Sequence, residues 1–306
     1  MTTTRTPSTR PSDATSARRP LDSGSRRDIG SIVFLGLLWA CLAIASLFLL
    51  FVLLTIVANG IGRLDLNLIT GAPSTIRPET AGVRPAIVGT LIVITMTALI
   101  ALPLGVAAAV YLEQYGDPTR WYNKMFELNI QNLAAVPSII FGILVLAFVV
   151  RSPINLGAVA LAGSIALALL ILPVVIISTR EALRAVPGEI RDGSLALGAT
   201  LWQTIWKQLL PAAIPGIATG AILAISRAIG EAAPLILIGA TTFITFTPDG
   251  LLSRYTVLPV QIFNFAIQSR EAFIPLTYAA ILLLIIILIV MNGLAIFLRN
   301  KFQQRW

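Results

Sequence analysis

Arg227 and Glu231 stand four residues apart inside an otherwise uncharged apolar stretch, so on a helix they share one face. Arg227 lies 16 residues past Pro211, roughly 24 Å of helix, well into a membrane-spanning segment. An arginine at such a depth costs about 2.5–3.5 kcal/mol on insertion scales, so it is expected to face the bundle interior or water. Two readings follow. The pair is either a structural ion pair that lets both charges be buried, or part of a path for an anion. A guanidinium suits the second role because its planar donors match oxyanion oxygens and its charge does not titrate away.

Other chemistry is sparse. The chain has no histidine and one cysteine, Cys41, which leaves no His-based triad, His metal site or internal disulfide. None of the three lysines, Lys124, Lys207 and Lys301, ends a Gly-x-x-x-x-Gly-Lys, so the chain has no P-loop for nucleotide phosphates. Energy for any pumping must come from a partner or a gradient.

Composition sets the class. Hydrophobic residues make up 57% and charged residues 12% of the 306, and mean hydropathy is +0.88; soluble domains carry about 25% charged residues. The net charge of +8 reflects the arginine excess of a membrane protein rather than a nucleic-acid face. Six runs can cross about 30 Å of hydrocarbon, at about 31–58, 86–112, 130–150, 156–177, 212–239 and 276–298. Several contain proline, which points to kinked helices in a bundle. The expected fold is therefore an all-α integral membrane protein with six transmembrane helices.

Residues 1–28 are rich in Thr, Ser, Arg and Pro and are expected to be a disordered basic tail, leaving 29–306 as the transmembrane domain. With that tail inside, cytoplasmic segments hold 15 Lys and Arg against 6 outside, which puts both termini in the cytoplasm. Outside, residues 240–275 are unusually apolar, with Phe243, Phe246, Phe263, Phe265 and Phe273. They read either as an interfacial or re-entrant segment or as a gate or platform for an extracytoplasmic partner.

The segment 180–211, between the fourth and fifth spans, is far longer than a connector needs to be. Leu197, Leu201, Ile205 and Leu209 recur every four residues, one face of a helix. Trp202 and Trp206 would suit interfacial anchors of a helix lying along the membrane.

Counted back from Leu210-Pro211, this segment resembles the EAA loop of ABC-importer permeases. Gly198 lies at the family glycine and Asp192-Gly193-Ser194 at the Glu-Ala-Ala triplet, while Glu181-Ala182-Leu183 is too distant. The departures are Asp, Gly and Ser in the triplet and Gln208 for isoleucine. Val136-Pro137-Ser138, within residues 135–142, resembles a third-helix signature of phosphate-importer permeases. Residues 226–235 resemble their Arg-x-x-Gly-Glu-x-Ala-Pro-Leu segment, and 258–264 an outer signature of the PstA branch.

The resemblance covers roughly residues 30–300. It implies an ABC-importer permease that moves phosphate and binds no cofactor itself. ATP and Mg would sit on two ATPase (PstB-like) subunits. The remaining partners would be a second, PstC-like permease and a PstS-like phosphate-binding protein outside. Arg227, Glu231 and Ser226 would border substrate passage; Asp192, Gly193, Ser194, Gly198, Leu210 and Pro211 would couple to the ATPase. A permease for sulfate or molybdate shares the loop and is the nearer alternative. An ion-coupled carrier would need more intramembrane carboxylates than Glu231 and matching halves.

Overall fold

The computed structural model describes residues 29–117, 119–240, 244 and 246–302; the basic tail 1–28, Phe243 and Arg305 fall outside them. The described residues build helices and connecting turns. The chain divides into two compact units, with the boundary between Val52 and Leu53. The first contains most of α1 (Ile29–Gly60), a helix apolar all round, as a membrane span should be. The second unit holds everything from Leu53 on.

In that unit α2 (Leu66–Thr70) precedes α3 (Arg84–Val110), which widens into a π-helical turn at Tyr111–Tyr115. Next come α4 (Trp121–Ala134) and α5 (Ser138–Val145), the latter prolonged by a π-helical turn at Leu146–Arg151. The helix α6 (Ala160–Arg184) is followed by α7 (Gly188–Ala196) and α8 (Leu201–Thr204). A third π-helical turn, Ile205–Leu209, joins α8 to α9 (Leu210–Ile229). The short α10 (Ala233–Ile238) and α11 (Leu258–Ala266) lead to the last span, α12 (Phe273–Phe302).

Among the described residues five stretches are long and apolar enough to cross a membrane, and the bent pair α4–α5 makes a sixth if it is one span. Two of the expected spans differ from the sequence reading. The third is not a continuous 130–150 helix: α4 and α5 meet at 104° across Ala135–Pro137. Pro137 lacks the N–H that would continue α4 and disfavours helical geometry at Val136. The fifth span does not run through 239. It starts at Leu201, ends at Ile229, and resumes as α10 after Gly230–Ala232, with Pro234 in the first turn of α10. By contrast Pro103, Pro173 and Pro215 sit inside continuous helices, and the Thr219 hydroxyl donates to the Pro215 carbonyl at 2.8 Å.

The centre is built on α3, α6 and α9, which approach through small residues. A Cβ on Gly105 would come 2.6 Å from Val175 Cγ1, and one on Gly216 would come 2.7 Å from the Ala182 Cβ. Thr97 on α3 donates to the Ser164 carbonyl of α6 at 3.2 Å.

The 240–275 segment folds back on this core. Tyr255, Val257, Leu258, Val260, Phe265 and Phe273 are buried, whereas Phe246 and Phe263 are half-exposed. The backbone N–H of Leu258 donates to the Thr90 hydroxyl of α3 at 2.9 Å, which pins α11 against α3. Most of its apolar side chains therefore serve packing. Arg270 reaches across to the carbonyls of Thr75 and Ile76, tying this segment to residues 59–85.

Candidate functional site

The two helix breaks lie side by side. Gly142, one turn into α5, sits on Pro234 at the start of α10: a Cβ there would come 2.7 Å from the Pro234 Cα and 2.9 Å from its carbonyl oxygen. Val136, in the first break, packs on a buried cluster that includes Phe141, Ala228, Ile229 and Leu235. Pro137 caps α5 in an extended conformation, and its carbonyl accepts from the Ile140 N–H at 3.0 Å. The signature Val136-Pro137-Ser138 and the 226–235 segment, about ninety residues apart in sequence, thus form one structural unit.

Arg227 borders this unit. It lies in the last turn of α9, not mid-helix as the span 212–239 implied, so its charge faces the negative end of the helix dipole. Its side chain is 45% exposed on this chain, where the sequence left the bundle interior and water both open. Glu231 is less exposed, at 22%, and its Oε1 lies 3.8 Å from Arg227 Nε. That distance is an ion pair beyond hydrogen-bond length, so guanidinium donors remain open toward the exposed side. Ser226 points elsewhere. Its hydroxyl lies 2.7 Å from the Ile222 carbonyl and 2.6 Å from Asn292 Oδ1 on α12, so it ties α9 to α12.

The second candidate region is the α7–α8 corner. Asp192 and Gly193 are exposed on α7, and a Cβ on Gly193 would meet open space. Ser194 pairs with Thr204 through their hydroxyls at 2.9 Å. Gly198 turns the chain with φ +85°, the left-handed region glycine takes without strain. Thr200 and Gln203 then form a capping box that starts α8. Leu201, Ile205 and Leu209 pack inward with Leu183 and Ala213, but Leu197 is 92% exposed, because it ends α7 and belongs to a different helix. Leu210 and Pro211 do not close a loop. They sit in the first turn of α9, inside a helical run that began at Leu201.

Sequence reasoning missed an ion-pair cluster at the ends of α3 and α6. Arg180 Nε lies 3.2 Å from Glu113 Oε2, and its Nη1 lies 3.2 Å from Glu127 Oε1 on α4. Arg184 Nε adds a 2.9 Å bond to Glu113 Oε1. A signal existed in the i, i+4 spacing of Arg180 and Arg184, but apart from Glu181, which pairs with Arg184 at 3.3 Å, their carboxylate partners Glu113 and Glu127 are more than fifty residues away in sequence. In the loop before α4, the Thr119 hydroxyl and backbone N–H hold the Asp117 carboxyl below its ordinary pKa.

What this arrangement can do is limited and specific. Among the described residues no group of three or more His, Cys, Asp or Glu could hold a metal ion. The site offers a half-exposed arginine beside two broken helices, and an exposed helical corner at the foot of the same span.

Comparisons with known proteins fit that description. Residues 101–305 match the family described as binding-protein-dependent transport system inner membrane component. A Yersinia pestis protein named phosphate transport system permease protein PstA is 35% identical over 257 residues, covering 83% of this chain and 85% of that one. The protein of the same name from Pasteurella multocida is 32% identical over 277 residues, covering 89% and 91%. Among solved structures, a chain of a bacterial ABC transporter involved in import of the acidic polysaccharide alginate superposes with TM-score 0.60 at 16% identity, covering 90% of this chain and 99% of that one. A chain of the inward-facing MetNI methionine ABC transporter superposes with TM-score 0.55 at 19% identity, covering 73% and 95%. At those identities the superpositions establish the fold.

Proposed function

Since the chain belongs to the binding-protein-dependent transport system inner membrane components, we propose that it is the permease subunit of an ABC importer that carries inorganic phosphate into the cell. The observation that carries this reading is the meeting of two helix breaks at Arg227, in a chain similar over most of its length to phosphate permeases.

Arg227 meets the anion in passing. Its partly open guanidinium supplies donors for phosphate oxygens, and Glu231 beside it limits how tightly the anion is held. Weak holding matters, because a transport site must also release its ion. The exposed position of Arg227 on this chain is what a passage shared with a second permease requires, each subunit lining one wall.

The remaining assignments follow from this one. Both termini and the α7–α8 corner face the cytoplasm, in keeping with the Lys and Arg count, and the chain spans the cytoplasmic membrane. One of two ATPase subunits docks on the corner; the pair carry ATP and Mg, while this chain binds no cofactor. A phosphate-binding protein delivers the anion from outside, and α7 transmits the ATPase stroke that alternates access.

The test is labelled phosphate uptake in phosphate-starved cells lacking this chain and any second phosphate importer, with and without the wild-type gene restored. Restored uptake that excess sulfate or molybdate leaves untouched is expected. Uptake blocked by either competitor moves the substrate to that oxyanion, and uptake indifferent to the gene removes the phosphate reading.

A further inference from the structure

From the geometry at the ends of α3, α4 and α6 we infer that Glu113, Arg180 and Glu127 are positioning residues for transport. They form the link through which movement of α7 reaches the helix break beside Arg227. The inference rests on the permease reading above and assigns these three residues a role within it.

Four observations lead there. First, one guanidinium bridges two elements: Arg180 donates from Nε to Glu113, in the π-helical turn that follows α3, and its Nη1 forms an ion pair with Glu127 on α4 at 3.2 Å. A planar fork fixes both partners in direction as well as distance, which an ammonium cannot do. Second, the Arg180–Glu113 half of the bridge is largely withdrawn from water, while Glu127 is 39% exposed. The Arg180 side chain is 11% exposed and that of Glu113 18%. Charges held at that depth are tied firmly to one another, since separating them leaves one unpaired.

Third, α4 buries little apolar surface against its neighbours. Asn123 is the buried residue of its fourteen, while Trp121, Phe126, Leu128 and Leu133 are exposed. A helix without an apolar grip follows its polar tether. Fourth, the bridge lies between the two regions that must communicate. Arg184, one turn beyond Arg180, ends α6, and Ala185–Pro187 alone separate it from α7. On the other side, Glu127 is seven residues, about 10 Å of helix, from Ala134, where the 104° bend begins.

The chain of contacts is then continuous. A displacement of α7 pulls the end of α6, Arg180 carries it to Glu127, and α4 swings as a lever about Pro137. Because α5 is seated on Pro234 through Gly142, a change at that bend reaches the Gly230–Ala232 break and Arg227.

The experiment uses the whole importer purified with its binding protein and reconstituted in liposomes, reading phosphate moved per ATP hydrolysed. Glu127→Gln cuts the tether on α4 and leaves the Arg180–Glu113 and Arg184–Glu113 pairs in place. Phosphate per ATP is expected to fall about two- to fivefold, the scale of one lost partly exposed ion pair, while ATPase activity stays near wild type. Arg180→Lys, one point charge in place of a fork, should behave the same way. Arg120→Gln, which removes the exposed pair with Asp117, should leave the ratio unchanged.

A second reading does not depend on the substrate. Spin labels at Glu189→Cys on α7 and Leu128→Cys on α4, in a Cys41→Ser background, should show a distance that changes on ATP binding in otherwise native protein and is fixed with Glu127→Gln. A wild-type complex that hydrolyses ATP without moving phosphate would count against the substrate alone, and the label distance would still decide the link. Unchanged phosphate per ATP with Glu127→Gln would overturn the inference. So would an unchanged label response, or failure of that variant to assemble, which would make the cluster a structural clasp.

Discussion

Gly142 and Pro234 touch backbone to backbone, with room for no atom between them: the position of a Cβ on Gly142 is already 2.7 Å from the Pro234 Cα. Two helices broken by proline are thereby held as one body. Substituting Gly142→Ala forces the breaks apart, and overpacking of this kind costs about 1–3 kcal/mol. The expected outcome is a lower melting temperature of the purified complex together with reduced uptake. The contrasting substitution is Gly193→Ala on α7, which meets open space and should change neither.

The exposed corner invites a docking measurement. A Cβ at Gly193 meets nothing within 4 Å and the position is exposed, so Gly193→Arg should leave the permease inserted and paired in the membrane. If α7 seats in an ATPase subunit, that same bulk blocks the seat and the ATPase no longer co-purifies. Asp192→Lys should weaken the association in the same direction. Retention of the ATPase by both variants at wild-type stoichiometry would place the docking surface elsewhere.

Gly198 and Thr200 set the angle between α7 and the span that follows. A Cβ at φ +85° costs roughly 1 kcal/mol, and loss of the Thr200 cap about as much again. Because both residues shape a corner rather than the core, the double variant Gly198→Ala, Thr200→Ala should reach the membrane in normal amounts. Its ATPase stimulation by the loaded binding protein should fall severalfold. Proteolysis between α7 and α8 should become faster, and an unchanged cleavage rate would show that the cap does not govern this corner.

How much of this was legible in the sequence depends on what each residue answers to. Apolar runs answer to the membrane alone, so α1, α3, α6 and α12 fell where the runs predicted them. Proline is ambiguous in one dimension. Pro103, Pro173 and Pro215 pass through intact helices while Pro137 and Pro234 mark breaks, and nothing local in the sequence separates the two groups. The four-residue rhythm through Leu201, Ile205 and Leu209 was read correctly as one helical face. Leu197 joined it only by arithmetic, since Gly198 turns the chain between them. The partners of Arg180 could not be read at all, because Glu113 and Glu127 reach it only once α3, α4 and α6 have packed.

Arg227 offers the sharpest separation of the two roles open to it. With its side chain 45% exposed and a loose 3.8 Å pair to Glu231, it contributes little to holding this chain together. Its truncation forfeits a helix-dipole interaction of about 0.3–1 kcal/mol. Arg227→Ala should therefore assemble normally and yet move almost no phosphate. Arg227→Lys keeps the charge but not the planar fork, and intermediate uptake is expected. Glu231→Gln removes the competitor for the guanidinium, so the anion is held longer. Its signature is a lower KM for phosphate presented on the binding protein, combined with a lower maximal rate. A structural ion pair gives the opposite pattern. Arg227→Ala and Glu231→Gln would then impair assembly alike, the double variant Arg227→Ala, Glu231→Gln would recover it, and transport by whatever complex assembled would be normal.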